Sequence, residues 1–131
     1  MADNLTDQAE ARVLNWLTGN TTTAPTMPCM VRLMTANGSD SAAGTEVVNA
    51  GGSTYAPQSA AFPSATGTTQ TSNSADIIFA NMPSCTVVGV EIWDSAGTPF
   101  RYWWGAAVAS KVVNLGQTLR ILAGTLVLNM Q

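Results

Sequence analysis

Apolar residues follow a helical period at one place in the chain. In "NLTDQAEARVLNWLT", Leu5, Ala9, Val13, Trp16 and Leu17 form a stripe, which predicts one N-terminal α-helix over residues 4–18. Asp3 or Asn4 is placed to cap its first turn. Asp7 and Glu10 sit where the helix dipole favours anions. Gly19-Asn20 supplies the stop. The Trp16 stripe is expected to pack on the body of the protein; a helix that binds a partner is the alternative reading. "TTTAPTMP", residues 21–28, is an extended linker with two prolines and no period.

From residue 29 the pattern changes to alternation. "CMVRLMTA" (29–36) reads as a strand with Arg32 projecting from one face. A long turn is expected over 37–46. Residues 47–62 are broken by Gly51-Gly52, with a strand over 55–62 and Pro57 at its edge. Residues 63–74 read as a polar loop. The segments 75–82, 86–94, 100–107, 111–116, 118–123 and 125–130 are rich in Val, Ile, Leu, Trp and Tyr and read as strands. The turns "PS", "SAGTP", "VAS", "GQ" and "GT" separate them. The expected fold is mainly β: an antiparallel β-sandwich or jelly-roll-like barrel with one N-terminal helix. The chain of 131 residues fits a single domain over 1–131, with the β body from 29 to 131.

The hairpin "EIWDSAGTPFRYWWG" (91–105) holds three of the four tryptophans. Regular alternation puts Glu91 and Trp93 on one face of the first strand. It puts Arg101 and Trp103 together on one face of the second. Both faces of the hairpin carry large apolar groups, so both must be covered. Trp93, Arg101 and Trp103 are candidate interface residues on the second face. The other reading has that face covered by the N-terminal helix through Trp16, itself the fourth candidate.

Composition narrows the chemistry. Charged residues make up 10% of the chain, against about 25% in an average domain. The net charge is −3, and the five basic residues are scattered, so no stripe for phosphate exists and nucleic acid is not expected as a partner. No apolar run reaches the ~18 residues of a membrane span. The acidic, polar start "MADNLTDQAE" is unlike a secretory leader, which points to synthesis in a cytoplasm. Cys29 and Cys85 are expected as buried free thiols.

The chain has no histidine, which removes histidine-based triads. Two isolated cysteines do not give a zinc spacing. Ser53 in "GGSTY" lacks a G-x-S-x-G elbow. Glu91 and Asp94 are three apart on a strand and face opposite ways; "DSAG" suits a turn begun by Asp94. Asp40 and Asp76 have no run of calcium ligands behind them. No enzyme activity, metal or cofactor is expected.

Several stretches are similar to a known family. They are "LTDQAEARVLNWLTG", "MVRLMTANGSD", "GGSTYAPQSAAF", "SNSADIIFANMPSCTVVGVEIWDSAGTPFRYWWGA" and "SKVVNLGQTLRILAGTLVLNM", in this order. The chain resembles small tailed-bacteriophage virion proteins, labelled tail fibre or head decoration proteins. That resemblance implies a structural, all-β virion protein, assembled in the host bacterial cytoplasm, that docks on a larger lattice as copies of itself. The favoured expectation is a capsid decoration (cement) protein on the capsid surface. It would bind the major capsid protein as an oligomer, with a trimer favoured. A tail or tail-fibre-associated structural protein is the alternative. A carbohydrate-binding module using Trp93 and Trp103 as a stacking platform is the third.

Overall fold

The computed structural model describes residues 5–67 and 69–130. One helix, α1 (Asp7–Leu17), precedes nine strands: β1 (Cys29–Ala36), β2 (Thr45–Glu46), β3 (Gln58–Ala60), β4 (Gln70–Ser72), β5 (Ile77–Phe79), β6 (Cys85–Trp93), β7 (Arg101–Val113), β8 (Leu119–Ile121) and β9 (Val127–Asn129). The main sheet runs β2-β1-β6-β7, with β3 also paired to β1, and every pairing is antiparallel. Opposite it lie two short ladders, β4–β9 and β5–β8. The fold is sandwich-like and is not a closed barrel.

The alternation of β1 decides which face becomes core. Val31 and Leu33 are fully buried and pack with Ile92 of β6 and Trp103 of β7. The second layer adds Ile77 and Phe79 from β5, Leu119 from β8 and Leu128 from β9. Tyr55 stacks on Phe79 at 5.9 Å. Tyr55 also fills the gap that β2 and β3 leave on the outer edge of β1. Its hydroxyl accepts from the Leu33 N–H at 3.0 Å and donates to Glu46 at 2.9 Å. Burial raises the pKa of this phenol, so it stays a donor. In the second layer the buried Asn73 amide donates to the carbonyls of Ala75 and Leu122 and accepts from the Leu126 N–H. It thereby ties the chain after β4 to the β8–β9 turn.

Several sequence expectations change. The cap positions proposed for Asp3 and Asn4 lie outside the described residues; Thr6 is the cap, accepting from the Ala9 N–H. The stop at Gly19 is as expected, with φ +76°. Of the apolar stripe, Leu5 and Ala9 are buried, whereas Trp16 and Leu17 are exposed. The helix docks by its N-terminal half, through a Leu5–Trp103 bridge beside β7, the buried Ala9, and Arg12 over the Phe100 ring. The expected polar loop 63–74 contains β4, whose Gln-Thr-Ser sequence pairs through its backbone and carries no hydrophobic alternation. The strand expected over 75–82 is confined to 77–79. The thiols of Cys29 and Cys85 are free, but both residues are half-buried.

The strands expected at 100–107 and 111–116 belong to one strand. Val87 pairs Lys111 and Gly89 pairs Ala106, so four residues, 107–110, bow out opposite Val88. These small residues leave the ladder, and the chain then rejoins the same partner. The predicted "VAS" break is real as a bulge.

Close approach at Gly89 sets a testable limit. A Cβ there would collide with Asn37 Oδ1 and the Gly105 carbonyl oxygen, while one at Gly97 would meet nothing within 4 Å. Gly89→Ala is expected to cost about 3 kcal/mol, read as a lower urea midpoint at unchanged slope. Gly97→Ala stays within about 0.5 kcal/mol of the parent chain.

Candidate functional site

The aromatic hairpin is formed by β6 and β7, and its geometry departs from regular alternation. Ile92 pairs Trp103, but Trp93 pairs Arg101, so Tyr102 is an extra residue in β7. A one-residue bulge reverses the facing of the residues on one side of it relative to the other. Arg101 therefore joins Glu91, Trp93 and Trp104 on one face. Trp103 turns to the core with Ile92 and is only 6% exposed. The expected pairing of Arg101 with Trp103 on one face is corrected on this ground.

On the Arg101 face, Arg101 Nη1 lies 3.1 Å from Glu91 Oε1, and both side chains are buried. The same carboxylate accepts from the Gly44 N–H at 2.7 Å and from Trp93 Nε1 at 3.0 Å. Arg101 Nη2 donates to the Ser39 and Asp40 carbonyls at 2.6 and 3.3 Å. Asp40 in turn accepts from Trp104 Nε1 at 2.8 Å through its carboxylate and from the Asp7 N–H at 3.1 Å through its carbonyl. The segment 37–44 is thus drawn flat over the second face of the sheet. Glycine is needed at 38, where a Cβ would stand 2.6 Å from both Glu91 Oε1 and the Ala42 carbonyl oxygen. This loop, and not the Trp16 end of the helix, covers the face.

The neighbouring groups are also engaged. The Arg32 guanidinium lies 4.3 Å from the Trp93 ring centre and 3.5 Å from Glu46. Asp94 closes the hairpin: its carboxylate accepts from the N–H groups of Phe100 (2.7 Å), Ala96 (3.3 Å) and Thr26 (3.0 Å). Burial works to raise the Asp94 pKa, but those three N–H donors and the Arg12 charge outweigh it, and the net shift is downward. Arg12 itself lies 3.6 Å above the Phe100 ring. Tyr102 donates to Cys29 Sγ at 2.6 Å. Glu91 and Asp94 serve separate clusters, each filled by N–H donors. Among the described residues no group of three or more Asp, Glu, Cys or His could hold a metal ion. No helix among them is long and apolar enough to cross a membrane.

Of the four sequence-predicted site residues, Arg101 and Trp103 lie inside the protomer, Trp93 is half-buried and Trp16 is exposed. Arg101 and Trp93 meet through Glu91; Trp16 stands apart. Three of the surface recesses bear on these residues and on the edge of the main sheet. One of about 390 Å³ has Trp93, Arg101, Asp7 and Asp40 in its wall. A groove of about 460 Å³ runs between α1 and residues 22–25, floored by Phe100 and Tyr102. A third, of about 550 Å³, lies between the β7 bulge and β8. A pattern of strands separated by turns does not show this cleft, because the bulge that forms one wall reads in the sequence as a connection. The run of small residues "GAAVAS" was the available signal.

The chain is β-rich, its arginines are engaged internally, and two of these recesses are lined mainly by apolar groups. The chain belongs to the family described as Podophage GP4 fiber I protein gp80, whose model matches residues 4–129. It is therefore a structural protein of a bacteriophage virion. No curated protein matches it.

Two measurements test these two carboxylate clusters. Glu91→Gln leaves Arg101 buried without its counter-charge and is expected to cost about 3–5 kcal/mol in denaturant unfolding. A depressed folded-state pKa at Asp94 gives stability that is present above about pH 4, the unfolded value, and lost as pH falls through the folded value. Asp94→Asn should lower the melting temperature at pH 7 and flatten its fall below about pH 4.

Proposed function

We propose that the protein is a fibre-associated structural subunit of a podophage particle and acts by binding, without catalysis. The observation that carries this reading is the family match over 4–129, whose description names a fibre protein. The surface supports it. Leu14, Trp16, Leu17, Val108 and Val112 are all more than half exposed, on a chain with few charges. Apolar positions of this kind suit contacts made in assembly. Its partners are then copies of itself and neighbouring fibre proteins.

The capsid cement expectation shares the same physics but has the major capsid protein as partner. Its support is the resemblance in sequence, and the family description favours the tail-fibre alternative. The carbohydrate-module reading loses its platform. Trp103 is inside, and the Trp93 indole has a guanidinium against its ring.

Location on the particle separates fibre from cement. Virions are dissociated into tail and head fractions, and the chain is quantified in each by mass spectrometry. It is expected with the tails, at a copy number that is a small multiple of the tail symmetry. Recovery with heads alone, at a copy number that scales with the capsid lattice, would replace the fibre reading with cement.

A further inference from the structure

Two separate surfaces of the molecule have matching chemistry. On α1, Glu10, Leu14 and Leu17 are spaced i, i+4, i+7 and so lie along one face. All three are exposed; Leu14 is 61% and Leu17 66% accessible. Asp7 extends the acidic end of this stripe. Its other end is apolar. The face has no partner among the described residues: the helix meets the body through Leu5, Ala9 and Arg12, and Val13 and Trp16 line the groove beside it.

The second surface is the cleft of about 550 Å³ between the β7 bulge and β8. Its floor is apolar, built from Leu33, Val87, Val90, Leu119, Ile121 and Leu126. Its lining also includes two exposed cations, Lys111 and Arg120. Arg120 is shared with Asp76 at 3.7 Å, and Lys111 makes no ion pair among the described residues. Both stand out on a chain of net charge −3. Burying an unpaired apolar stripe and an unpaired apolar cleft against each other removes both from water, and the charges on the two surfaces are opposite in sign.

We infer that α1 of one copy docks in the β7–β8 cleft of the next. Leu14 and Leu17 enter the cleft, and Glu10 meets Lys111. The contact is heterologous: helix and cleft are different surfaces, so each copy offers one of each, and repetition closes a ring or extends a filament. The inference rests on the reading of the chain as an assembling subunit and adds the surfaces and the partner.

The test is the mass of the full chain by size exclusion with light scattering, at up to about 100 μM, well above a Kd of about 1 μM. A multiple of 13.6 kDa is expected. The exposed-site double variant Leu14→Ser/Leu17→Ser should run as a folded monomer by circular dichroism. Lys111→Glu should weaken association about tenfold, and Glu10→Lys added to it should recover most of the loss. A cleft-filling Ala107→Trp variant should also be monomeric. Mixed with the leucine double variant, it should give a 1:1 complex, since one supplies the helix and the other the cleft. A monomeric parent chain overturns the proposal. So does a double variant with parental mass, or a mixture that forms no complex. Failure here with the chain still found on tails leaves the fibre assignment standing.

Discussion

The structure depends on one buried ion pair placed where a sheet has two faces to cover. A hairpin with apolar groups on both sides cannot leave either in water. The core takes Ile92 and Trp103. The opposite face holds Met34, Trp93 and Trp104, and the chain has no second layer of strands to lay on it. Glu91 and Arg101 solve this by recruiting backbone: the carboxylate takes the Gly44 N–H and the guanidinium takes the Ser39 and Asp40 carbonyls. A buried pair is weak evidence for stability, since desolvation offsets much of the attraction. Here its effect is positional. Apolar replacements could fill the same volume, but they would not fix the loop at both ends.

The strand β7 carries most of the consequences. It is the outer strand of the main sheet, and an open edge invites pairing with other chains. Its first half is met by the N-terminal segment, where the Thr6 N–H donates to the Tyr102 carbonyl and the Thr6 hydroxyl to the Arg101 carbonyl. Thr6 thus caps α1 and seals an edge with one side chain. The second half bows out at 107–110, which breaks the flat run that edge-to-edge pairing needs. The bulge at Tyr102 turns Arg101 toward Glu91. Each irregularity in β7 therefore has a structural consequence: one completes the clamp and the other shapes the cleft.

The parts that were legible in the sequence are those where local pattern and final burial agree. β1 alternates cleanly and forms over the residues its pattern marks. Gly19 ends the helix because a left-handed turn is needed there, and Asp94 opens the hairpin turn through its own carboxylate. Other parts were hidden for specific reasons. A bulge of one residue at Tyr102 leaves no mark in composition, yet it inverts the facing of Arg101 against Trp103. β4 is polar and pairs only through its backbone, so periodicity is silent about it. Trp16 sits on the helical stripe that should be buried, but the helix meets the body at Ala9 and through Arg12 on Phe100, and Trp16 lies beyond those contacts. The clamp was half visible: Glu91 and Arg101 were seen as neighbours, while the Gly38–Gly44 loop that completes it looked like an ordinary turn.

The distribution of charge links this architecture to assembly. Arg101 and Arg32 are held by Glu91 and Glu46, Arg120 leans on Asp76, and Arg12 lies on Phe100 with its Nη1 donating to the Thr23 carbonyl. Four of the five basic side chains are therefore engaged within the chain, and Lys111 is left at the wall of the β7–β8 cleft. A surface so poor in free charge has little long-range field to steer a partner or to repel a neighbour. Contacts made by such a surface depend on shape and apolar area, and these are little screened by salt. The distribution fits a virion structural protein in which most basic groups hold the chain together internally and few are left free at its surface.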